Sequence, residues 1–278
     1  MIYGATMLIT ELERFIREDL GEDDDSNGIV PPVAASANIV CKEAGVLAGL
    51  DEACQIFDYF GLTVESHYAD GNAVKAGDVI LTITGGAADI LRGERLALNF
   101  LGRMSGVATL TRRCVELAGG KVRVAATRKT TPGFRAFEKR AVKLGGGDPH
   151  RYDLSSAVMI KDNQIAIMGI EGALAAAKKA ASFTKKIEIE VESIEDGEKA
   201  ARLGADIIMF DNMAPAKIAE GVTRVKKINP RVIVEASGGI TIDNIGEYAR
   251  TGVDVISLGA LTRDAKWLDF SLDMQTQL

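Results

Sequence analysis

The sequence predicts an α/β protein in which a parallel sheet curves into a barrel, either complete or incomplete. From about residue 122 onward, short apolar runs that favour strands recur, and helix-forming stretches rich in Ala, Lys, Glu and Leu lie between them. Continuous apolar strands that alternate with helices indicate a parallel sheet covered on both faces. The predicted strands span residues 122–127, 157–160, 187–191, 207–210, 232–236 and 255–258.

The first ~100 residues lack this alternation and predict a separate domain of ordinary size. Thr10 precedes an amphipathic stretch, so we expect it to be the N-cap of a helix over residues 10–20, with Glu13 completing a capping box. A second helix is expected over residues 50–60. Short strands joined by glycine turns are expected over residues 64–67, 73–75 and 79–83.

A long helix over residues 91–117 closes this part of the chain, and Gly102 and Gly106 on it predict points of close packing. We therefore divide the chain into an N-terminal domain of residues 1–110 and a barrel domain of residues 111–265. The remaining residues, 266–278, are expected to pack back on the N-terminal domain.

The composition is that of a soluble globular enzyme, with 26% charged and 47% hydrophobic residues in 278. The three cysteines are widely spaced and form no CxxC pair, so we expect neither disulfides nor a structural zinc site. No run reaches the roughly 18 uninterrupted apolar residues of a membrane span, and the first residues lack the order of a secretory signal. We expect a cytoplasmic protein without membrane contact.

A basic segment, residues 121–161, stands out in an acidic chain. It holds ten Lys and Arg residues against three Asp and Glu residues, whereas the whole chain has a net charge of −6. Proteins that bind nucleic acid through a basic stripe usually have a basic chain and dispersed lysines. The local charge here instead indicates a small, strongly anionic ligand, and no nucleic-acid partner is expected.

Polar side chains lie at the carboxyl ends of all the predicted strands. In parallel barrels the active site forms at this face, from the strand ends and the loops after them. A single charged strand end is equally well explained by exposure to solvent, but the whole succession predicts a catalytic face. The residues are Arg128-Lys129, Lys161-Asp162, Glu190 with Glu192, Asp211-Asn212, Glu235 with Ser237-Gly238-Gly239, and Ser257 before Gly259-Ala260.

The cations suit two kinds of anion. An arginine fork matches a carboxylate or phosphate through two parallel hydrogen bonds, so Arg128, Arg151 and Arg95 could clamp a ligand with two carboxylates. Lysine acts as a point charge, which suits Lys129 and Lys161 to pyrophosphate oxygens.

Other basic residues are assigned by their position. His150 lies beside an arginine after a glycine-rich loop and is the candidate ligand contact, whereas His67 is expected to be structural. Lys139, Arg140 and Lys143 follow the loop at helical spacing, so we expect them to form a solvated helix face.

Acidic and glycine-rich strand ends complete the predicted site. Glu190 and Asp211 end neighbouring strands, where two carboxylates suit ribose hydroxyls and an oxygen-bound Mg²⁺. Ser237-Gly238-Gly239 and Gly259-Ala260 follow the last two strands, where glycine backbone amides can surround a phosphate.

Several uncommon strings occur in a characteristic order and spacing. They are Thr127-Arg128-Lys129-Thr130-Thr131-Pro132-Gly133, Gly145-Gly146-Gly147 followed by His150-Arg151, Ile160-Lys161-Asp162-Asn163, Asp211-Asn212, Ser237-Gly238-Gly239 and Gly259-Ala260-Leu261. With Glu18-Asp19-Leu20-Gly21 and Gly93-Glu94-Arg95 nearer the N-terminus, they resemble the signature of the quinolinate phosphoribosyltransferase family over nearly the whole chain.

The resemblance implies an α/β sandwich in the N-terminal domain and an incomplete, open parallel α/β barrel in the second. It implies that quinolinate and phosphoribosyl pyrophosphate react, with Mg²⁺ and no organic cofactor, to give nicotinate mononucleotide, pyrophosphate and CO₂ in NAD biosynthesis. It also implies a homodimer with shared active sites, alone or within a higher oligomer, in which Arg95 enters the partner subunit's site.

The resemblance also assigns roles by motif. Lys129 and Lys161 would face the pyrophosphate, and Glu190 and Asp211 would face the ribose hydroxyls and the metal; these four are the expected catalytic residues. The quinolinate site would be lined by Arg128, His150, Arg151 and Lys161.

Two positions depart from the usual family pattern. Gln164 follows Lys161-Asp162-Asn163 where the family usually has His, and Pro149 precedes His150-Arg151 where it often has Asn. Both changes spare the charged residues, so we expect them to affect hydrogen bonding around the site and not the reaction.

Three other functions remain open. A phosphoribosyltransferase of the same fold could act on nicotinate or another acceptor, although a two-carboxylate clamp favours quinolinate, and the intact Lys161-Asp162-Asn163 argues against a molybdenum-operon relative. A barrel lyase could use Lys161 as a Schiff base. A non-enzymatic carrier could use Lys75 as an attachment point, but the flanking residues of such carriers are lacking.

Overall fold

The computed structural model describes residues 7–22, 24 and 28–275, which fall into two compact units. The first unit comprises the described residues of Met1–Leu110, Ala136–Gly145 and Ala265–Leu278, and the second comprises Thr111–Arg135 and Gly146–Asp264. The segment Ala136–Gly145, which we placed in the barrel domain from its sequence position, thus belongs with the first unit.

The first unit contains a four-stranded antiparallel sheet. Its strands are β1 (Ala34–Cys41), β3 (Thr63–Ser66), β5 (Val79–Gly86) and β12 (Phe270–Gln275), in the order β12-β1-β5-β3. A small second sheet pairs β2 (Gly45–Val46) with β4 (Ala73–Val74). Alternate residues Ala37, Ile39 and Cys41 of β1 are fully buried, as expected for a sheet with one face on the core.

The helices of this part of the chain are α1 (Ile9–Leu20), α2 (Leu50–Tyr59), α3 (Ala87–Leu117) and α4 (Arg135–Leu144). The predicted N-cap at Thr10 is wrong: α1 begins one residue earlier with Leu8 as its N-cap, because the carbonyl of Leu8 already accepts from the N–H groups of Glu11 and Leu12. Within the described ranges, no helix combines the length and apolar character that a membrane crossing requires.

Close packing at the glycines of α3 is confirmed. A Cβ on Gly106 would lie 2.0 Å from the carbonyl oxygen of Lys266, and one on Gly102 would lie 3.1 Å from that of Leu268. Only glycine therefore allows the C-terminal segment to lie directly against this helix. That segment continues into β12, which pairs with β1 in the sheet.

Helix α4 is attached to the first unit by aromatic and ionic contacts. The rings of Phe15, Phe100 and Phe137 meet edge to face, with centroids 5.0–5.7 Å apart. Arg103 Nη2 of α3 and Glu138 Oε1 of α4 also form a buried ion pair at 2.5 Å. These contacts explain why α4 does not belong with the barrel strands.

The prediction of a solvated helix face is wrong for Lys139 and Arg140. Lys139 is fully buried, and the guanidinium of Arg140 forms ion pairs with Asp51, Glu52 and Asp70, the last at 2.8 Å. Helical spacing identified residues that share a face, but three acidic side chains from distant parts of the chain cover that face.

The second unit is built on a six-stranded parallel sheet, which confirms the predicted strands. They are β6 (Arg123–Ala126), β7 (Val158–Ile160), β8 (Ile187–Val191), β9 (Ile207–Asp211), β10 (Ile233–Ser237) and β11 (Val255–Leu258), in the order β6-β11-β10-β9-β8-β7. The helices between and after them are α5 (Asp162–Ala180), α6 (Ile194–Arg202), α7 (Pro215–Ile228), α8 (Ile245–Tyr248) and α9 (Ala260–Arg263).

The sheet is open between β6 and β7, which form its two edges. The segment that contains Asp148 lies along β6. The backbone N–H of Asp148 donates to the carbonyl of Val124 at 2.8 Å, and the carbonyl of Asp148 accepts from the N–H of Ala126 at 2.9 Å. Three residues later, Arg151 Nη2 contacts Met159 Sδ of β7 at 2.9 Å. The glycine-rich loop of the basic segment thus leads into the opening of the barrel.

Candidate active site

The carboxyl ends of the strands of the second unit surround a cavity of about 370 Å³. The turns Gly238-Gly239 and Gly259-Ala260 follow β10 and β11 at the same end. Eight of the residues predicted from the sequence line this cavity: Arg128, Lys129, His150, Arg151, Lys161, Glu190, Asp211 and Ser237.

Two arginines, Arg128 and Arg151, line the cavity and are half-buried. Arg128 Nε is buried without a hydrogen-bond partner among the described residues. Burial lowers the pKa of Arg151, and the positive charge of Arg128 acts in the same direction, while nearby carboxylates oppose it. Neither guanidinium forms an ion pair within the part of the chain that the structure describes. Two half-buried cations whose charges act on each other are suited to an anionic ligand.

Lys161 and Glu190 form an ion pair across neighbouring strands, in which Lys161 Nζ donates to Glu190 Oε2. The backbone N–H of Lys161 also donates to Gln164 Oε1 at 3.1 Å, directly before α5 begins. In a capping box, the side chain of the N3 residue, here Gln164, accepts a hydrogen bond from the backbone N–H of the N-cap residue, here Lys161. Gln164 therefore fixes the backbone that carries Lys161.

Asp211 ends β9 and is held by the turn that follows. Asn212 Nδ2 donates to Asp211 Oδ2 at 2.6 Å, and the backbone N–H of Asn212 donates to the carbonyl of Ser237 at 3.0 Å. A Cβ on Gly238 would lie 2.4 Å from Asn212 Oδ1, and Gly238 has a φ of +80°, so glycine is required here. Burial and the charge of Glu190 raise the pKa of Asp211.

Lys129 is positioned by two hydrogen bonds of its backbone and by the packing of its side chain against Gly259. Its N–H donates to Thr127 Oγ1 at 3.2 Å, and its carbonyl accepts from Thr262 Oγ1 at 2.7 Å. A Cβ on Gly259 would lie 2.9 Å from Lys129 Cδ, so the aliphatic stem of the lysine passes close over this glycine. Lys129 lines the cavity together with Asp211, and its positive charge acts to lower the pKa of that carboxyl group.

His150 lies at the inner end of the cavity in a left-handed backbone conformation with φ of +55°, which is uncommon for residues other than glycine. Its N–H donates to Asp148 Oδ1 at 2.7 Å. The ring contacts the backbone N–H of Arg151 at 2.7 Å and Glu235 Oε2 at 3.1 Å. The ring nitrogens are therefore directed at groups of the protein itself.

Four residues at the cavity or directly beneath it were not assigned to the site from the sequence. They are Glu235 and Ser257, which the sequence marks only as polar residues near strand ends, and Met159 and Glu188, which no motif marks. A signal for Glu188 exists, because it and Glu190 are two positions apart in an otherwise apolar strand and thus face the same side.

Two groups of side chains have the chemistry of a cation site. Glu190 and Asp211 line the cavity and offer the carboxylate oxygens that Mg²⁺ prefers. They are close enough for the charge of Glu190 to raise the pKa of Asp211, which is a reason for a cation to bind there. The second group is His150, Glu188 and Glu235, whose ligand atoms lie within 4.8 Å of one another.

Arg95 belongs to the first unit, where it is exposed on α3. Burial raises the pKa of Asp19, and the charge of Arg95 opposes that rise, so the two side chains interact. Arg95 does not line the cavity of the second unit.

The sequence matches two family models, described as the N-terminal domain (residues 24–105) and the C-terminal domain (residues 107–273) of quinolinate phosphoribosyl transferase. A protein of Archaeoglobus fulgidus, named a probable carboxylating nicotinate-nucleotide pyrophosphorylase, is 49% identical over 249 residues, which cover 87% of this chain and 95% of that one. The human carboxylating nicotinate-nucleotide pyrophosphorylase is 42% identical over 244 residues, 86% of this chain and 82% of that one.

A solved structure is similar to this chain along almost its whole length. The crystal structure of NadC from Streptococcus pyogenes superimposes with a TM-score of 0.90 at 40% identity, covering 98% of this chain and 100% of that one. The predicted fold class, an N-terminal α/β sandwich domain followed by an incomplete, open parallel α/β barrel, is confirmed by the antiparallel sheet of the first unit, the six-stranded parallel sheet of the second and the solved structure. The chain belongs to the quinolinate phosphoribosyl transferase family.

Proposed function

We propose that the protein transfers the phosphoribosyl group of phosphoribosyl pyrophosphate to quinolinate and releases pyrophosphate and CO₂, giving nicotinate mononucleotide for NAD biosynthesis. The observation that carries this proposal is the pair of half-buried guanidinium groups of Arg128 and Arg151, which line the cavity and form no ion pair with the described residues. Quinolinate has two adjacent carboxylates, and each can accept two parallel hydrogen bonds from one arginine.

Phosphoribosyl pyrophosphate, the other substrate, is suited to the lysines, the glycine turn and the carboxylates of the cavity. Lys129 and Lys161 provide mobile positive charge for the pyrophosphate, and the Gly238-Gly239 turn leaves backbone close to the ligand, where no side chain intervenes. Glu190 and Asp211 are placed to accept hydrogen bonds from ribose hydroxyls.

The reaction follows from this arrangement. The bond from the ribose anomeric carbon to the pyrophosphate oxygen breaks with its electron pair, and positive charge develops on the ribose, which the carboxylates of Glu190 and Asp211 stabilise. Lys129 and Lys161 stabilise the departing pyrophosphate. The lone pair of the quinolinate nitrogen forms the new bond to the ribose, so the ring becomes cationic.

Decarboxylation uses that ring charge. The carboxylate next to the ring nitrogen leaves as CO₂, its bonding pair stays on the ring carbon beside the cationic nitrogen, and that carbon then takes up a proton. Arg128 and Arg151 hold the ring in place. A Mg²⁺ ion would be held by Glu190 and Asp211, and it would supply positive charge to the pyrophosphate oxygens.

Two further properties belong to the proposal. Arg95, exposed on α3 and carrying a charge that a dianionic substrate could use, is proposed to complete the active site of a partner subunit in a homodimer. The free cysteines Cys41, Cys54 and Cys114 suit a reducing compartment, so we propose a cytoplasmic location.

Turnover with two alternative acceptors tests the proposed function. The protein is incubated with phosphoribosyl pyrophosphate and either quinolinate or nicotinate, with and without Mg²⁺, and nucleotide, pyrophosphate and CO₂ are measured. We expect equal amounts of all three products from quinolinate, dependence on Mg²⁺, and little product from nicotinate. Comparable turnover of nicotinate would instead support a phosphoribosyltransferase that does not decarboxylate.

A further inference from the structure

A second cavity, of about 390 Å³, opens at the amino ends of the strands of the second unit. The first residues of four strands line it: Arg123 of β6, Ile207 of β9, Ile233 of β10 and Val255 of β11. The candidate active site lies at the opposite ends of the same strands. The volume is within the range of about 300–1,000 Å³ that is usual for small-molecule sites.

The inner end of this cavity is acidic. Glu188 of β8 and Glu235 of β10 line it, and both are buried. Glu235 Oε2 lies 3.1 Å from His150 Nε2, but Glu235 Oε1 and both carboxylate oxygens of Glu188 have no hydrogen-bond partner among the described residues. Buried carboxylate oxygens normally accept hydrogen bonds. The inner end therefore offers three acceptor atoms to a ligand that can donate.

The rim of the same cavity is basic. Arg123 and Lys186 line it, and both are exposed. Arg123 pairs with Asp148 Oδ2 at 3.3 Å while its side chain stays 68% exposed, and Lys186 forms no ion pair within the described ranges. Exposed guanidinium and ammonium groups of this kind suit a carboxylate or a phosphate.

Much of the remaining wall is apolar. It is formed by Ala125, Ala157, Ile207, Ile233 and Val255. Lys186 at the rim and Glu188 at the inner end are two residues apart along the chain, and two residues of a strand span about 7 Å. A ligand can therefore occupy both ends at once if a short hydrocarbon chain separates its charged groups.

A metal ion matches this cavity less well. His150, Glu188 and Glu235 do bring ligand atoms within 4.8 Å of one another. However, the cavity is many times larger than the ~30 Å³ that one water molecule takes up, and the two cations at the rim repel an entering divalent cation. A primary ammonium group has three N–H donors and no acceptor, which matches the three unpartnered carboxylate oxygens.

We propose that this cavity binds a small zwitterion, with a primary ammonium group held by Glu188 and Glu235 and an acid group held by Arg123 and Lys186. The acid group is a carboxylate or a phosphate, so the ligand belongs to the amino acids or the aminoalkyl phosphates. About five bonds between the two charged groups span the required 6–7 Å, roughly. The site is distinct from the candidate active site and does not depend on the proposed function.

Calorimetric titration of the whole protein tests this proposal, with 5-aminopentanoate and 3-aminopropyl phosphate as probes. We expect at least one of them to bind with a Kd of about 1 mM or lower, and the tighter of the two identifies the acid group. Pentylamine and pentanoate each lack one charged group and should bind at least about tenfold more weakly. Failure of both zwitterions to bind, or equal binding of a singly charged analogue, would overturn the proposal.

Substitution of Lys186 locates the bound probe. We expect Lys186→Ala to weaken the binding of the zwitterions about three- to tenfold. Lys185→Ala, at the neighbouring lysine, which does not line the cavity, should retain the wild-type affinity, and so should Lys129→Ala in the candidate active site. Weaker binding in Lys129→Ala together with unchanged binding in Lys186→Ala would place the probe in the other cavity and contradict the proposal.

Glu188→Gln tests the inner end, because it keeps the size of the side chain and removes its negative charge. We expect this variant to bind the zwitterions about tenfold more weakly or worse and to bind pentanoate as the wild type does. Unchanged affinity for both zwitterions would argue against the assigned ammonium site. If Glu188→Gln does not fold, Lys186→Ala and the analogue series still decide the question. No titration contains quinolinate or phosphoribosyl pyrophosphate, so the outcome is independent of the proposed function.

Discussion

Lys161 Nζ donates a hydrogen bond to Glu190 Oε2 between the neighbouring strands β7 and β8. The pairing follows from the register of these strands, in which Ile160 lies opposite Ile189. The cation proposed for pyrophosphate and the carboxylate proposed for ribose thus neutralise each other before substrate binds. Binding must exchange this internal ion pair for contacts with the substrate.

Replacement of Lys161 should therefore affect turnover more than folding. Lys161→Ala removes a charge that stabilises the leaving pyrophosphate, and we expect kcat to fall about 10²–10³-fold, the range seen when one transition-state contact is lost. Steady-state kinetics measures this change. Lys179→Ala, an exposed lysine on α5, is the matched control and should leave kcat unaltered. A Lys161→Ala variant with near-normal kcat would rule out the assigned role.

The turn after β10 should tolerate no side chain at Gly238. Gly238→Ala places a Cβ 2.4 Å from Asn212 Oδ1 at a φ of +80°, and we expect a loss of about 1–3 kcal/mol in the free energy of unfolding. The KM for phosphoribosyl pyrophosphate should rise as well, because this turn borders Asp211.

Gly246→Ala is the control for that variant. A Cβ there would meet nothing closer than 3.8 Å, so its free energy of unfolding should stay within about 0.5 kcal/mol of the wild-type value. Chemical denaturation of both variants gives the comparison. Equal stability of the two alanine variants would show that the turn can relax without cost.

Glu52 should make the stability of the protein depend on pH. Burial, opposed by Arg140, raises the pKa of this carboxyl group from 4.5 to about 7 in the folded protein. As pH rises between these values, the unfolded chain loses its proton first, so the folded state binds more protons and the free energy of unfolding decreases. The total decrease is about 3 kcal/mol.

Removal of this group should abolish that part of the pH dependence. We expect the free energy of unfolding of Glu52→Gln, relative to wild type, to increase by about 2–3 kcal/mol between about pH 5 and about pH 7.5. Urea denaturation at the two pH values measures it. Glu65→Gln, at an exposed position on β3, should show no such trend, and a flat difference for Glu52→Gln would contradict the shifted pKa.

The strands of the second unit could be predicted from the sequence nearly to the residue. The predicted limits of 187–191 and 255–258 coincide with those of β8 and β11. Strands covered on both faces are rich in apolar, β-branched residues, and these two are bounded by Lys186 and Glu192 and by Asp254 and Gly259. The cavity residues could also be predicted, because parallel strands bring their carboxyl ends to one face of the sheet.

Features that depend on distant partners could not be predicted. The burial of Arg140 results from Asp51, Glu52 and Asp70, which lie 70 to 89 residues away along the chain. The hydrogen bond between His150 and Glu235 joins residues that lie 85 positions apart along the chain. Helical spacing and motifs describe neighbours within an element, and neither reveals which charge from another element will meet them.

The proposed function requires that the guanidinium groups of Arg128 and Arg151 bind the two carboxylates of quinolinate. Loss of one bidentate pair should weaken binding about 100-fold, because hydrogen bonds to charged groups each contribute about 1.5–3 kcal/mol. That loss should leave unchanged the contacts that Lys129 and Lys161 are proposed to make with pyrophosphate.

Calorimetric titration of Arg151→Ala with each substrate measures this binding, with Arg231→Ala, at an exposed position, as the control. We predict that Arg151→Ala loses about 100-fold in quinolinate affinity and retains its affinity for phosphoribosyl pyrophosphate, while the control retains both. Equal losses for the two substrates, or an unchanged quinolinate affinity, would contradict the account.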